Sequence, residues 1–203
     1  MKEKIIDELR TVYDPEMPSI NVFDLGLIYE IDIKDNEATA MQEVYLETGA
    51  GVFYDAISFW NDTEGIAMGD PIDGCLSIII TRDGGNSWAK LPCANLPDIV
   101  AGGAAFAASN SNIAIQGDHT WIVTGGQRAR VFHSPDKGVT WAVYDTPMLQ
   151  GGVMTGIYSV DFLDTNTGVI VGGNWDDKYF NEGNKAITRD GGKTWSLLSN
   201  GKG

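Results

Sequence analysis

Cationic side chains are scarce in this 203-residue chain: 14 lysines and arginines face 28 aspartates and glutamates, for a formal net charge of −14. A phosphate backbone is held by a basic face, so nucleic acid is not an expected partner. The only local cationic cluster, Arg128 with Arg130, is expected to be solvated at a strand edge. Cysteine is nearly absent too. Cys75 and Cys93 lack CxxC spacing and a nearby histidine pattern, which argues against a zinc site, and neither a metal nor a cofactor is expected. Both are expected to be buried thiols, since a bond between them needs an oxidising compartment. His119 and His133 are expected as packed or edge residues of strands rather than as bases. No apolar run is long enough to cross a bilayer, so no membrane insertion is expected. The opening Met1-Lys-Glu-Lys-Ile-Ile-Asp-Glu8 is too charged for a signal-peptide core, which places the chain as written in the cytoplasm.

What the chain has in quantity is one motif repeated. Thr81-Arg-Asp-Gly-Gly-Asn-Ser-Trp88, Ser134-Pro-Asp-Lys-Gly-Val-Thr-Trp141 and Thr188-Arg-Asp-Gly-Gly-Lys-Thr-Trp195 place their tryptophans 53 and then 54 residues apart. A period of this size filled with short strand-like runs signals stacked four-stranded units. In each copy the Ser or Thr (Thr81, Ser134, Thr188) and the Asp (Asp83, Asp136, Asp190) can accept backbone N–H groups of a tight turn. The Gly two positions on (Gly85, Gly138, Gly192) supplies positive φ. Trp88, Trp141 and Trp195 then open the outgoing strand and bury a large apolar area. A carboxylate spent on turn amides is a poor acid or base, so these residues are structural and no catalytic residue is assigned.

The flanking runs repeat as well. Ala56–Trp60, Gly65–Gly69 and Leu76–Ile80 precede the first box, Asn112–Gln116, Thr120–Thr124 and Arg130–His133 the second, and Tyr158–Phe162, Gly168–Gly172 and Lys185–Thr188 the third. Short runs, Trp88–Leu91, Trp141–Tyr144 and Trp195–Leu198, follow them. The boxes resemble the Asp-box, or BNR, repeat, and Phe59-Trp-Asn-Asp-Thr-Glu-Gly-Ile-Ala-Met-Gly-Asp-Pro71 resembles bacterial Asp-box β-propellers related to the photosystem II assembly and stability factor. That resemblance covers roughly residues 42–200. It implies that each box is the hairpin between the third and fourth strands of a blade, and that a parent propeller was exported. The expected class is all-β: a partial β-propeller of three four-stranded blades, at about 42–95, 105–147 and 155–200, preceded by a short α/β segment.

Residues 1–40 stand outside the repeat. Ile5, Ile6, Leu9 and Val12 fall at helical spacing, Pro15 and Pro18 end that helix, and Leu27–Ile33 alternates as a strand. Val12–Tyr29, with Asp14-Pro15-Glu16 and Asp24-Leu-Gly-Leu-Ile-Tyr29, resembles the start of the PaaD-like domain of iron–sulfur cluster assembly proteins. The second strand and the cysteine that follow in that family are absent from this chain, so cluster chemistry does not carry over. After Ala40 the text changes to Met41-Gln-Glu-Val-Tyr45, expected as the lead-in strand of the propeller. The chain therefore reads as a chimera of two truncated pieces, 1–40 and 41–203.

Two functions compete, beside a third alternative, an iron–sulfur cluster assembly role through residues 1–40. Sialidases and other glycan hydrolases use Asp-box propellers, but a sialidase needs an arginine cluster and this chain has five arginines, two of them, Arg82 and Arg189, inside boxes. Other hydrolases need two carboxylates across a cleft, which Asp70, Asp73, Asp176, Asp177 or Glu182 could supply. The preferred expectation is a non-catalytic scaffold for protein interaction or assembly, with loops Pro92–Ala108 and Gly173–Asn184 on one face. Trp175, Tyr179 and Phe180 form the expected anchor patch. Since three blades do not close a ring, a homodimer completing six blades is a further expectation. The oxygen-rich loops Asn61–Gly65 and Asp164–Gly168 are read as recurring hairpins rather than calcium sites.

Overall fold

The computed structural model describes residues 33–34, 37–38, 43–107, 110–177 and 179–199. The helix expected around Ile5–Val12 and all of the Leu27–Ile33 strand except Ile33 lie outside the described residues. The chain divides into two units, residues 1–43 and 44–203. In the first, β1 (Ile33–Lys34) pairs antiparallel with β2 (Glu37–Ala38), so a short second strand follows Ile33 where none was expected.

The second unit is built of three meanders. Blade 1 contains β3 (Tyr54–Phe59), β4 (Gly65–Ile72), β5 (Cys75–Thr81) and β6 (Ala89–Lys90), hydrogen-bonded in chain order. After β7 (Gly103–Ala104), blade 2 takes β8 (Ile113–Gln116), β9 (His119–Val123), β11 (Arg130–Ser134) and β12 (Ala142–Asp145), with the two-residue β10 (Gly125–Gly126) inside its central connection. Blade 3 contains β13 (Thr155–Phe162), β14 (Gly168–Asn174), β15 (Lys185–Thr188) and β16 (Ser196–Leu197). The strands are where the repeat put them because β-branched and aromatic residues recur on the sheet faces that pack against a neighbouring blade. In blade 3 the sheet grows through β10 to β7. Gly125 pairs there with both Ala104 and Gly156, and a Cβ on it would lie 2.5 Å from the Thr155 carbonyl oxygen, so only glycine admits this approach.

Two cores lie between neighbouring blades. Ile66, Met68, Ile78 and Ile80 of blade 1 pack with Ile113, Ile122 and Phe132 of blade 2. Trp121, Val123 and Val131 of blade 2 pack with Val160, Phe162, Ile170, Ala186 and Trp195 of blade 3. Each fully buried aliphatic side chain contributes roughly 1.5–3 kcal/mol, so the seams, not the individual sheets, carry the stability.

Three further expectations are corrected. Cys75 and Cys93 are not thiols but a disulfide with Cα atoms 5.6 Å apart: the turn Cys93–Asn95 folds back over the start of β5, which brings an exposed cysteine onto a buried one. Arg130 is buried, lying 5.4 Å over the Phe132 ring and donating to the Asp98 carbonyl oxygen at 3.1 Å. It shares the face of β11 on which Phe132 turns inward at the strand end, whereas Arg128 stays exposed. Glu43–Tyr45 is not a strand; the segment is held by side chains instead, with the Tyr45 and Tyr54 hydroxyls each donating to Glu47 at 2.8 Å and Lys90 pairing with the same carboxylate.

Candidate interaction face

Because each blade is an up-and-down meander, its first and third connections emerge at one end and its second connection, with the links between blades, at the other. These ends form two faces of opposite chemistry, a turn face and a loop face.

On the turn face the box residues satisfy one another. In blade 2 the Ser134 hydroxyl donates to Asp136 at 2.9 Å and accepts Gly138 N–H at 2.8 Å, while Asp136 accepts the Thr140 N–H at 2.8 Å and hydroxyl at 2.7 Å. Thr81, Asp83, Gly85 and Ser87 repeat the pattern, as do Thr188, Asp190, Gly192 and Thr194. The indoles of Trp141 and Trp195 donate back to the carbonyl oxygens of Gly138 and Gly192. Hydroxyl and amide donors of Ser87 and Thr194 hold Asp83 and Asp190 below the usual carboxylate range, and at Asp136 burial opposes but is outweighed by Thr140.

Sequence reasoning assigned positive φ only to the fifth box position. The fourth also needs it: Gly84, Lys137 and Gly191 have φ of 74°, 53° and 77°. Their N–H groups bond to Thr63, Asp118 and Asn166 of the hairpin in the same blade. The expected oxygen-rich hairpins spend their side chains on their own amides, Asn61 accepting Thr63 and Glu64 N–H and Asp164 accepting Asn166 and Thr167 N–H. Arg82 joins Glu64 to the Lys137 carbonyl oxygen across the blade 1–blade 2 seam, while Lys137 itself pairs with Glu64. Lys137, then Asn61, hold Glu64 down at about 2. Behind this face His119 Nδ1 lies 2.9 Å from His133 Nε2, both rings stacked near Trp121, which stacks 3.7 Å from Phe162. Burial, then His119 and Lys193, push His133 down to about 4.

The loop face is organised differently. Ile99 N–H bonds to Gly74 O, Gln127 N–H to Gly102 O, Gly151 N–H to Gly126 O and Leu149 N–H to Gly183 O. The expected loops around Pro92–Ala108 and Gly173–Asn184 are thus tied into one surface running over all three blades. The disulfide anchors one end of it, and Ala105 N–H bonds to Asp70, which occupies one of the candidate acids. At the other end Trp175, Tyr179 and Phe180 are 70%, 84% and 42% exposed. Trp175 and Phe180, but not Tyr179, line a cleft of about 470 Å³ together with Tyr158, Asn174, Asn181 and Asn184. Tyr158 also lines it, its hydroxyl donating to the Met154 carbonyl oxygen at 2.7 Å with the Gly173 carbonyl oxygen in reach at 3.0 Å, and its ring meeting Phe106 edge to face at 4.8 Å. Sequence patterning did not flag Tyr158 because it sits inside a repeat strand. Among the described residues no three His, Cys, Asp or Glu side chains cluster as metal ligands, and no helix is long and apolar enough to cross a membrane.

Comparisons with known proteins find relatives of two kinds. Residues 2–46 match the family model "Iron-sulfur cluster assembly protein". A curated "Fe-S protein maturation auxiliary factor" of Porphyromonas gingivalis is 62% identical over 32 residues, 16% of this chain and 30% of that protein, so the chain spans about a third of the relative. Among solved structures, "YCF48 bound to D1 peptide" matches with a TM-score of 0.51 and 19% identity over 82% of this chain and 44% of its own. YCF48 from Cyanidioschyzon merolae matches at a TM-score of 0.49 and 20% identity over 76% and 39%. The chain thus joins a segment similar to iron–sulfur cluster assembly proteins to blades with the β-propeller fold of YCF48.

Proposed function

We propose that the chain is a non-catalytic β-propeller scaffold that holds a protein partner on its loop face, with Trp175, Tyr179 and Phe180 as anchors. In this reading residues 41–203 are the propeller and residues 1–40 a piece of an iron–sulfur assembly domain of separate origin. The observation that carries it is the exposed aromatic cluster on a loop surface tied across all three blades, next to a cleft of about 470 Å³. Rigid exposed aromatics on a fixed platform are the usual anchors of protein contacts. A solved protein of this fold is bound to a peptide, which supports the same use of these blades. The disulfide supports an oxidising compartment for the propeller, in line with an exported parent, while the opening residues support the cytoplasm for the chain as written.

The test is capture with the intact chain as bait beside a Trp175→Ala/Phe180→Ala double variant. The scaffold reading expects one partner retained by the native chain and lost by the variant at unchanged melting temperature. Glycan turnover by the native chain that disappears in Asp176→Asn or Asp177→Asn would overturn it.

A further inference from the structure

The two seams between blades differ at one repeat position. Register pairs Gly65 with Thr81 in blade 1, Thr120 with Ser134 in blade 2 and Gly168 with Thr188 in blade 3. The residues just before the first of each pair, Glu64, His119 and Thr167, are therefore equivalent. In blade 1 this position carries a carboxylate set between two cations: Glu64 crosses the seam to Lys137 of the blade 2 box and accepts from Arg82 at 2.8 Å. At the blade 2–blade 3 seam every member of that group is replaced. His119 stands for Glu64, Pro135 for Arg82 and Gly191 for Lys137. The space beside them is a cleft of about 420 Å³, with His119, His133 and Tyr144 on its blade 2 wall and Thr165, Asn166 and Lys193 on its blade 3 wall. Ala142, paired with His133 across β11 and β12, is too small to fill it. The volume is that of a small-molecule site.

The carboxylates near this cleft are already committed. Asp190 accepts from Thr188, Thr194 and the Lys193 N–H, Asp136 closes its own turn, and Asp118 turns to Lys137 at 3.6 Å. Among the described residues the Lys193 ammonium has no ion pair. His119 Nδ1 lies 2.9 Å from His133 Nε2, so one N–H bridges the two imidazoles and, of their two outer nitrogens, one is a donor and the other an acceptor. A proton added to the acceptor keeps the bridge, turns both outer nitrogens into donors and gives the pair one positive charge. Burial, then His119 and Lys193, oppose that charge on His133; an anion beside Lys193 supplies the countercharge that favours it.

We propose that this cleft binds a small carboxylate, which takes at the second seam the place that the Glu64 side chain holds at the first, with Lys193 and the His119–His133 pair as its donors. The ligand is a carboxylate because the same fold, one blade earlier, fills the position with one. Binding takes up a proton on the imidazole pair. The charged or titratable groups around the pair are Lys193, Tyr144, Asp118, Asp136 and Asp190. Asp136 and Asp190 are held below the usual carboxylate range, so the pair takes the proton and affinity rises as pH falls from about 7 to about 5. The net charge of −14 opposes any anion at long range, but that field is screened over about 8 Å in ordinary salt.

The test follows the ring signals of the two histidines by NMR in the intact chain, titrated with sodium succinate beside sodium phosphate and sodium chloride at equal ionic strength, between about pH 7 and pH 5. The expected result is a saturable shift of both rings with succinate, tighter at the lower pH. Lys193→Gln, which alters an exposed side chain, should keep the native melting temperature and weaken binding about tenfold or more. His119→Glu, which rebuilds the blade 1 carboxylate in place, should abolish the succinate shift of His133. No saturable shift with succinate at any pH in that range overturns the proposal, as does an equal response to chloride. Phosphate bound in preference to succinate overturns the assignment to a carboxylate, and binding that survives Lys193→Gln unchanged overturns the assignment to this cleft.

Discussion

The turn face and the loop face are made by the same meanders, yet they are stabilised by different chemistry. At the turn face every blade repeats one solution, a carboxylate and a hydroxyl spent on backbone N–H groups, with Arg82, Glu64 and Lys137 linking two blades. At the loop face the blades differ in length and content, and a disulfide with carbonyl–amide contacts between links holds them. A face whose polar groups are consumed internally has little left to offer a partner. The face that carries unmatched loops presents aromatic side chains to solvent. The contrast also predicts that acid attacks the turn face and reductant the loop face.

The largest stability effect is expected from reduction. The bond closes an 18-residue separation, which corresponds to roughly 3 kcal/mol of chain entropy. A dithiol reductant or Cys93→Ser should lower the melting temperature and speed exchange of the Gly74–Ile99 amide, leaving turn-face amides protected. Equal loss of protection on both faces would erase the comparison.

Acid comes next. His133 sits at about 4 in the folded chain against an ordinary value near 6.5. The unfolded chain then binds the extra proton between these values, so stability falls as pH drops from about 6.5 to 4, by at most about 3 kcal/mol. His119, Lys193 and Asp136 are the charged or titratable groups acting on it. A His133→Gln variant should flatten the pH dependence of the melting temperature in that window; an unchanged slope would assign it to other groups. Asp83, Asp136 and Asp190, depressed in the folded state, contribute stability that is present above pH about 4 and lost below it.

Asp136→Ala should cost about 2 kcal/mol, from charge-assisted bonds to Thr140 and Ser134 that leave amides without acceptors. Denaturant unfolding at neutral pH measures it. Glu64→Gln should cost less and the difference should shrink with salt, because the Arg82 and Lys137 partners are solvent-accessible.

Much of the turn face was legible in the sequence, because the box encodes its own hydrogen bonds: Ser/Thr, Asp and Gly at fixed offsets leave one way to close the hairpin. The strand positions followed, since each box fixes the register of the strands beside it. Lys137 escaped notice because a left-handed lysine has no sequence signature; it is positioned by Glu64 and by the neighbouring hairpin. The loop face was legible only as length and aromatic content. Thiols were preferred over a bond for Cys75 and Cys93, because nothing in an 18-residue separation shows that the Cys93–Asn95 turn doubles back over β5. Arg130 was misread for a similar reason, its burial depending on the Asp98 carbonyl oxygen from the link between blades. Trp175, Tyr179 and Phe180 belong to the Gly173–Asn184 loop, but the cleft that Trp175 and Phe180 line also needs Tyr158 of β13 and Asn184 just before β15.

The most direct test of the scaffold account is hydrogen exchange of the chain with and without its captured partner. The account predicts protection confined to the loop face, around residues 97–105, 146–154 and 173–184, with the three box turns unchanged. Protection of the box turns with the loop face unaffected would contradict it.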